Sequence, residues 1–278
     1  MAQNLAQKYS TKVAERFYAK NLTELAVNTD YDWDGVTTVN VYSVNTTPLG
    51  TYSRTGTTNR FGTIVDAGTT VQALTLSRDR SSSTVIDKRN NQESSNVMEA
   101  GKWLAREIRE VVIPEVDTYR LAALGTAAGT NGKAALITPG ATTSTNAYQN
   151  FLTLNASLTD DLVDNGSRVA FMTQNYYNLL KQSNFILSSE DGMQTRHNGV
   201  LGQVDGVKVV VVPSTYMPAN TDLILTHPSA MVSPMVLTDY NTHVDPPGVS
   251  GTQIDIRVVY DAFVLTTKIK AVAAHKTA

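Results

Sequence analysis

Residues 45–70, NTTPLGTYSRTGTTNRFGTIVDAGTT, constrain this chain more than any other stretch, because they can build no core of their own. Their large apolar residues, Leu49, Tyr52, Phe61, Ile64 and Val65, are scattered among threonines and glycines. Before them Val36 and Thr38, then Val39, Val41 and Ser43, alternate like a strand rich in β-branched residues. After them a second extended stretch covers 71–86. Residues 36–86 therefore read as a long two-stranded projection. An isolated hairpin is marginal in water and its open edges invite pairing. Either the segment is disordered or it lies on another subunit, and its Val, Thr and Tyr content favours the second.

The composition agrees. Charged residues make up only 17% of the 278 residues, below the roughly one quarter usual in globular proteins. Thr, Ser, Asn and Gly fill the gap, which suits a subunit packed against copies of itself. Lys+Arg 23 against Asp+Glu 25 gives a net charge of -2 with no block of like charges. A polybasic arm that condenses single-stranded RNA is not expected. No apolar run reaches the ~20 residues of a membrane span; the longest, around Val207–Val212, contains Lys208 and stops at Pro213. The opening MAQNLAQKYSTK has no apolar signal core, so the protein is expected to stay in the cytoplasm where it is made. The absence of Cys excludes disulfides, thiolate zinc sites and a cysteine nucleophile.

Helical periodicity appears twice before residue 125. Over 3–27, Leu5, Tyr9, Val13 and Phe17, closed by Leu22 and Leu25, predict an amphipathic helix. Lys8, Lys12, Arg16 and Lys20 form a basic stripe beside it, either a contact for nucleic acid or an acidic neighbour, or an ordinary solvated face. The clearest helix covers 95–124, with Ser95 as N-cap and Glu99 in the first turn. Val97, Gly101, Leu104, Ile108 and Val111 predict one buried stripe, and Val116, Tyr119 and Leu124 resume it. Pro114 removes an N–H and crowds the carbonyl of Glu110, so a kink is expected there, not an end. Such a helix would run ~45 Å.

An Ala/Gly-rich loop over 126–145 leads to a second helix over 146–162, marked by Phe151, Leu154, Leu158 and Leu162. Strands are expected at 169–172, 207–212, 223–226 and within 254–274, with a short helix at 175–181. Interleaved helices and mixed strands point to the α+β class.

No motif carries catalysis. Asp30, Asp32, Asp34 and Gly35 imitate a calcium loop, but the twelfth position is Val41 where a bidentate Glu is needed. Gly129, Gly132 and Lys133 imitate a phosphate loop, yet Ala127 and Ala134 occupy its first Gly and its Ser/Thr. His197, His227, His243 and His275 are scattered, and the acid pairs Asp160-Asp161 and Glu190-Asp191 look solvated. No catalytic, cofactor or metal site is expected.

Three segments, VNVYSVNTTPLGTYSRTG, SRDRSSSTVIDKRNNQES and AGKWLAREIREVVIPEVDTYRLAAL, resemble major capsid proteins of tailed bacteriophages. The C-terminal IDIRVVYDAFVLTTKIKAVAAH is similar to their closing strands. The resemblance runs from about Tyr9 to His275 and is tightest over 78–124. It implies the Hong Kong 97-type fold: an N-terminal arm (1–35), an extended hairpin loop (36–91), and a peripheral domain (92–125 and 226–270) holding a spine helix over 95–124. An axial domain (126–225) and a C-terminal tail (271–278) would complete it. It also implies a structural, non-enzymatic role: self-assembly through pentamers and hexamers into an icosahedral shell around double-stranded DNA, in the host bacterial cytoplasm.

Implied partners are copies of the chain, a portal, decoration proteins and DNA held without sequence preference, with no membrane and no cofactor. A separate scaffolding protein is expected because no long charged helical extension precedes the arm. Some family members weld subunits through a loop lysine; here none lies between Lys20 and Lys88, so no such link is expected. Arg54, Arg60, Arg78 and Arg80, with Tyr52 and Phe61, are the candidate inter-subunit contacts, the alternative for the arginines being exposed side chains of little consequence. Trp33 and Trp103 read as packing anchors. The rival readings are an encapsulin-like nanocompartment shell protein and a hydrolase hidden in 126–225, which would require a pocket of convergent polar groups.

Overall fold

A computed structural model of the chain describes residues 21–31, 37–93, 100–131, 133, 142–183 and 202–277. The expected arm helix does not extend into this part, where the chain makes a 3-10 turn (Glu24–Ala26) and the short strand β1 (Val27–Asn28). The cause is buried Asp117, whose carboxylate accepts the backbone N–H groups of Leu22 (3.0 Å) and Thr23 (3.4 Å). A helix would need those donors for its own carbonyls. Lys8, Lys12, Arg16 and Lys20, together with Trp33 and Ser95, lie outside the described residues.

Strands β2 (Thr38–Val44) and β3 (Thr69–Thr75) form an antiparallel hairpin, with Thr38 opposite Thr75 and Val44 opposite Thr69. The second extended stretch is not one strand, which corrects the reading of 71–86 as part of the projection. It breaks at Leu76 and Ser77, and β4 (Arg78–Asp87) then leaves the hairpin. The break is held by Asp261, whose Oδ2 accepts from the Ser77 N–H (2.8 Å) and Oγ (2.7 Å).

After helix α1 (Lys88–Glu93), one helical run is built from α2 (Ala100–Glu107), a π segment (Ile108–Val112) and α3 (Ile113–Thr130). The wider π turns fall just before Pro114, where the missing N–H and the crowding of the Glu110 carbonyl must be absorbed. The run passes Leu124 and continues through the start of the stretch expected as a loop. Gly125 is therefore a packing residue, not a stop: a Cβ there would sit 2.7 Å from Pro218 Cγ. The expected stripe is buried only in its second half. Val116, Leu121, Leu124 and Ala128 are inside, whereas Leu104 and Ile108 are half-buried, and Gly101 and Val111 exposed.

The remainder comprises α4 (Ala147–Asp160), β5 (Val169–Thr173), α5 (Gln174–Lys181), β6 (Gln203–Val204), β7 (Val207–Val212) and β8 (Thr221–Thr226). The strands β9 (Met231–Val232), β10 (Met235–Val244), β11 (Gly251–Tyr260), β12 (Phe263–Val264) and β13 (Val272–Lys276) follow. Among the described residues, a five-stranded sheet in the order β13-β8-β5-β7-β6 is the core of the chain. Its alternating side chains feed two clusters. Val169, Phe171, Ile224 and Ala274 meet Leu121 and Leu124 of α3 on one face. Ala170, Met172, Leu225 and Ala273 meet Phe151, Leu154 and Leu158 of α4 and Leu180 of α5 on the other. The segment expected as a C-terminal tail is thus corrected: β13 pairs with β8, and Val272 through His275 are buried.

A second sheet, β10-β11-β4, lays Val258 and Tyr260 against Val116 of α3. A third, β1-β9-β12, bridges the N-terminal segment and the C-terminal strands.

Several carboxylates sit below their ordinary pKa for local reasons. Asp79 is lowered by its bond to Arg257, Asp161 by Lys133 and Asp245 by Lys88. Asp255 is lowered by Ser83 and Gln253. A depressed folded-state pKa stabilises the fold above the ordinary carboxylate value of about 4 and loses that contribution as pH falls below it. Melting temperature should therefore hold between about pH 7 and 5 and drop below about pH 4. Thermal melts at stepped pH check this, and a flat profile down to about pH 2.5 would contradict it.

Candidate subunit interface

The hairpin is fastened at its root and bare beyond it. Leu74 is buried with Val232 and Leu265, and Val39, Val41, Leu76 and Phe263 pack around them. Gln72 donates from Nε2 to the Val264 carbonyl (3.3 Å) and accepts at Oε1 from the Thr266 N–H (2.9 Å). Further out, eight large apolar side chains are exposed: Tyr42, Val44, Leu49, Tyr52, Phe61, Ile64, Val65 and Val71. Leu49, Phe61 and Ile64 are 103%, 89% and 93% accessible, which is nearly an unfolded chain's exposure. Covering half of these eight would supply on the order of 10 kcal/mol. Apolar side chains concentrated on one element, and not scattered singly, mark an interaction surface.

The tip has its own geometry. The Ser53 N–H donates to the Arg60 carbonyl (3.0 Å) and the Gly62 N–H to the Asn59 carbonyl (3.0 Å). Asn59 and Gly62 take positive φ there. This folding brings the Tyr52 and Phe61 rings edge to face at 5.0 Å. Arg60 donates from Nε to the Gly56 carbonyl (2.7 Å), and Arg54 is exposed. The two aromatic candidates are thus brought together.

Arg78 and Arg80 are elsewhere, which corrects their placement in the projection. They belong to β4 and face α3. The Arg78 guanidinium lies 4.7 Å over the Tyr119 ring, and Arg80 Nε bonds Glu115 Oε1 at 2.9 Å. Glu115 also accepts the Tyr260 hydroxyl at 2.6 Å, and burial with that carboxylate pushes the phenol up. These contacts join the second sheet to the helix within the chain.

Sequence reasoning missed the buried polar groups. Asp117 and Arg120 interrupt the apolar face of α3, and that interruption is the only signal either gives. Arg168 is fully buried and donates to the carbonyls of Asn155, Val163 and Asp164, closing the loop before β5. His275 Nδ1 lies 2.6 Å from Asp222 Oδ1, with the Asn150 amide 3.4 Å from Nε2. Asp222 Oδ2 accepts from Thr142 (2.7 Å), so the Asp–His pair is closed in by structural partners.

A depression of about 450 Å³ is lined by Leu152, Asn155, Thr159, Asp160, Asp205 and their neighbours. There the Asn155 amide donates to Asp205, so these polar groups bond each other. Among the described residues no group of three His, Asp or Glu could hold a metal ion, and no helix is long and apolar enough to cross a membrane.

No family model matches the sequence, and no curated protein does. Solved structures are similar over nearly the whole chain. A chain of Mycobacterium phage Che8 is 17% identical, with 98% of this chain and 97% of that one covered and a TM-score of 0.74. The mature capsid of bacteriophage PhiM1 is 12% identical, with 98% and 92% covered and a TM-score of 0.75. The capsid of cyanophage P-SCSP1u is 11% identical, with 99% and 93% covered and a TM-score of 0.76. Identities this low speak for architecture alone, and the architecture is plain: this chain has the α+β fold of phage capsid proteins.

Proposed function

We propose that the chain is the major capsid protein of a tailed double-stranded DNA bacteriophage, a structural protein and not an enzyme, building an icosahedral shell through pentamers and hexamers. The observation that carries this is the hairpin, rooted on its own body yet bare over eight large apolar side chains. The fold shared with phage capsids supports a shell of repeated subunits as what covers it.

In this reading β2 and β3 are the extended loop, and the helical run with the β10-β11-β4 sheet forms the peripheral domain with its spine helix. The five-stranded sheet with α4 and α5 is the axial domain, joined by β13. Each hairpin lies across a neighbour, and head-to-tail contacts that close by rotation make the rings. Individual contacts that net about a few kcal/mol, once the cost of association is subtracted from the burial, let misplaced subunits leave, while many per subunit make the closed shell durable. A net charge of -2 suits an inner wall that must not grip packaged DNA tightly. A scaffolding protein, a portal and decoration proteins are the expected partners.

Electron microscopy of the protein purified from infected cells tests this. Polyhedral particles filled with double-stranded DNA are the expected result. Particles holding enzymes would support the nanocompartment reading instead. A lone monomer with its hairpin folded onto its own body would overturn both.

A further inference from the structure

One continuous chain of hydrogen bonds, mostly buried, links the N-terminal segment to the root of the hairpin. It starts at Thr23, whose backbone N–H and hydroxyl both donate to Asp117 Oδ1, the hydroxyl at 2.5 Å. The same hydroxyl oxygen accepts from Arg120 Nη1 at 3.2 Å, so one side chain joins two buried ions. Arg120 Nη1 also reaches Asn21 Oδ1 (3.4 Å), and its Nε donates to Ser233 Oγ at 2.8 Å. The Ser233 hydroxyl donates in turn to the Asp261 backbone carbonyl at 2.7 Å. The Asp261 carboxylate then accepts from Tyr119 (2.9 Å) and Ala262 (2.8 Å) at Oδ1, and from the Ser77 N–H and hydroxyl at Oδ2.

Thr23, Asp117, Arg120, Ser233 and Asp261 are each at most 8% exposed. The Thr23 and Ser233 hydroxyls each serve as donor and acceptor at once. A buried network leaves little slack: moving one member strands its neighbours without water to replace them. Desolvation lowers the pKa of Arg120 and Asp117 opposes it, consistent with an ion held by fixed partners.

We propose that this relay couples the N-terminal segment to the hairpin, so that releasing residues 21–23 from α3 loosens the pivot at Ser77, and the reverse. The two ends are otherwise far apart in sequence, and Ser77 stands where the chain turns from β3 into β4. A change at the N-terminal segment, such as trimming or a partner's grip, would then set how firmly the hairpin is held. That use rests on the shell reading. The coupling does not, and it is measured on the unassembled chain.

Hydrogen exchange read at single amides tests it. Thr23→Val keeps the shape and deletes the bridging hydroxyl. It should speed exchange of the Ser77 amide on the order of fivefold, the scale of one lost hydrogen bond. Because coupling is reciprocal, Asp261→Asn should speed the Leu22 and Thr23 amides similarly, while β5 amides stay unchanged in both. If either variant does not fold, Ser233→Ala, which removes one hydroxyl from the middle, should loosen both ends. Variants that disturb only their own end, leaving the far amides at the wild-type rate, would overturn the proposal.

Discussion

Replacing Leu49, Phe61 and Ile64 together with alanine should abolish closed particles while leaving the melting temperature of the isolated chain unchanged. The folded subunit has little to lose, because these side chains are already about as accessible as in an extended peptide. Only the edge contact between Phe61 and Tyr52 would go, and it is local to the tip. An assembled shell would lose three buried apolar groups per hairpin, about 5 kcal/mol in total. That weakens each contact by more than a thousandfold. Sedimentation with negative-stain microscopy reads particle yield, and thermal melts read the subunit. Wild-type particle yield would remove the hairpin from the interface. A melting temperature lowered by several degrees would show that these side chains pack on their own body.

This surface was legible in the sequence because its signal is local. A stretch that spaces its large apolar residues among threonines and glycines cannot form a core in any fold. The long helix is legible for the same reason, and Pro114 lies within it; where the sequence predicts a kink, the structure has π turns just before the proline. What the sequence does not show depends on partners distant in the chain. Residues 71–87 have strand character throughout, so nothing local marks the break at Leu76 and Ser77; Asp261, 184 positions from Ser77, makes it. Without that break the sequence groups Arg78 and Arg80 with the hairpin, whereas Arg78 stacks on Tyr119 and Arg80 pairs with Glu115. The last residues look like a tail until Leu223 to Thr226 supply a strand for them to join. Gly125 likewise carries no local sign of Pro218, which leaves no room for a Cβ there.

Gly251 shows the same limit, and its replacement has the largest stability effect expected for a methyl group added to a glycine among the described residues. It opens β11 directly opposite Asp87 of β4. A Cβ there would lie 2.3 Å from the Ile86 carbonyl oxygen and 3.0 Å from the Asp87 Cα. Both obstacles are backbone, so no side-chain rotation relieves them. The turn behind the residue is also committed: the Asp245 N–H donates to the Gly251 carbonyl at 2.7 Å, and Asp245 Oδ1 accepts the Gly251 N–H at 3.2 Å. Gly251→Ala must therefore spread β11 from β4, at a cost of about 3 kcal/mol or more. Melting temperature should fall by roughly 6–12 °C. Gly50→Ala, where nothing lies within 4 Å, should stay within about 0.5 kcal/mol of the wild type. Because β4 begins at the hairpin's root, Gly251→Ala should reduce particle yield too, but through a destabilised subunit. The alanine triple variant loses particles from a fully stable one, so the pair of melts separates a damaged sheet from a missing contact. A Gly251→Ala protein melting within about 2 °C of the wild type would mean that β4 can part from β11 freely, and the second sheet would then be no fixed mount for the hairpin.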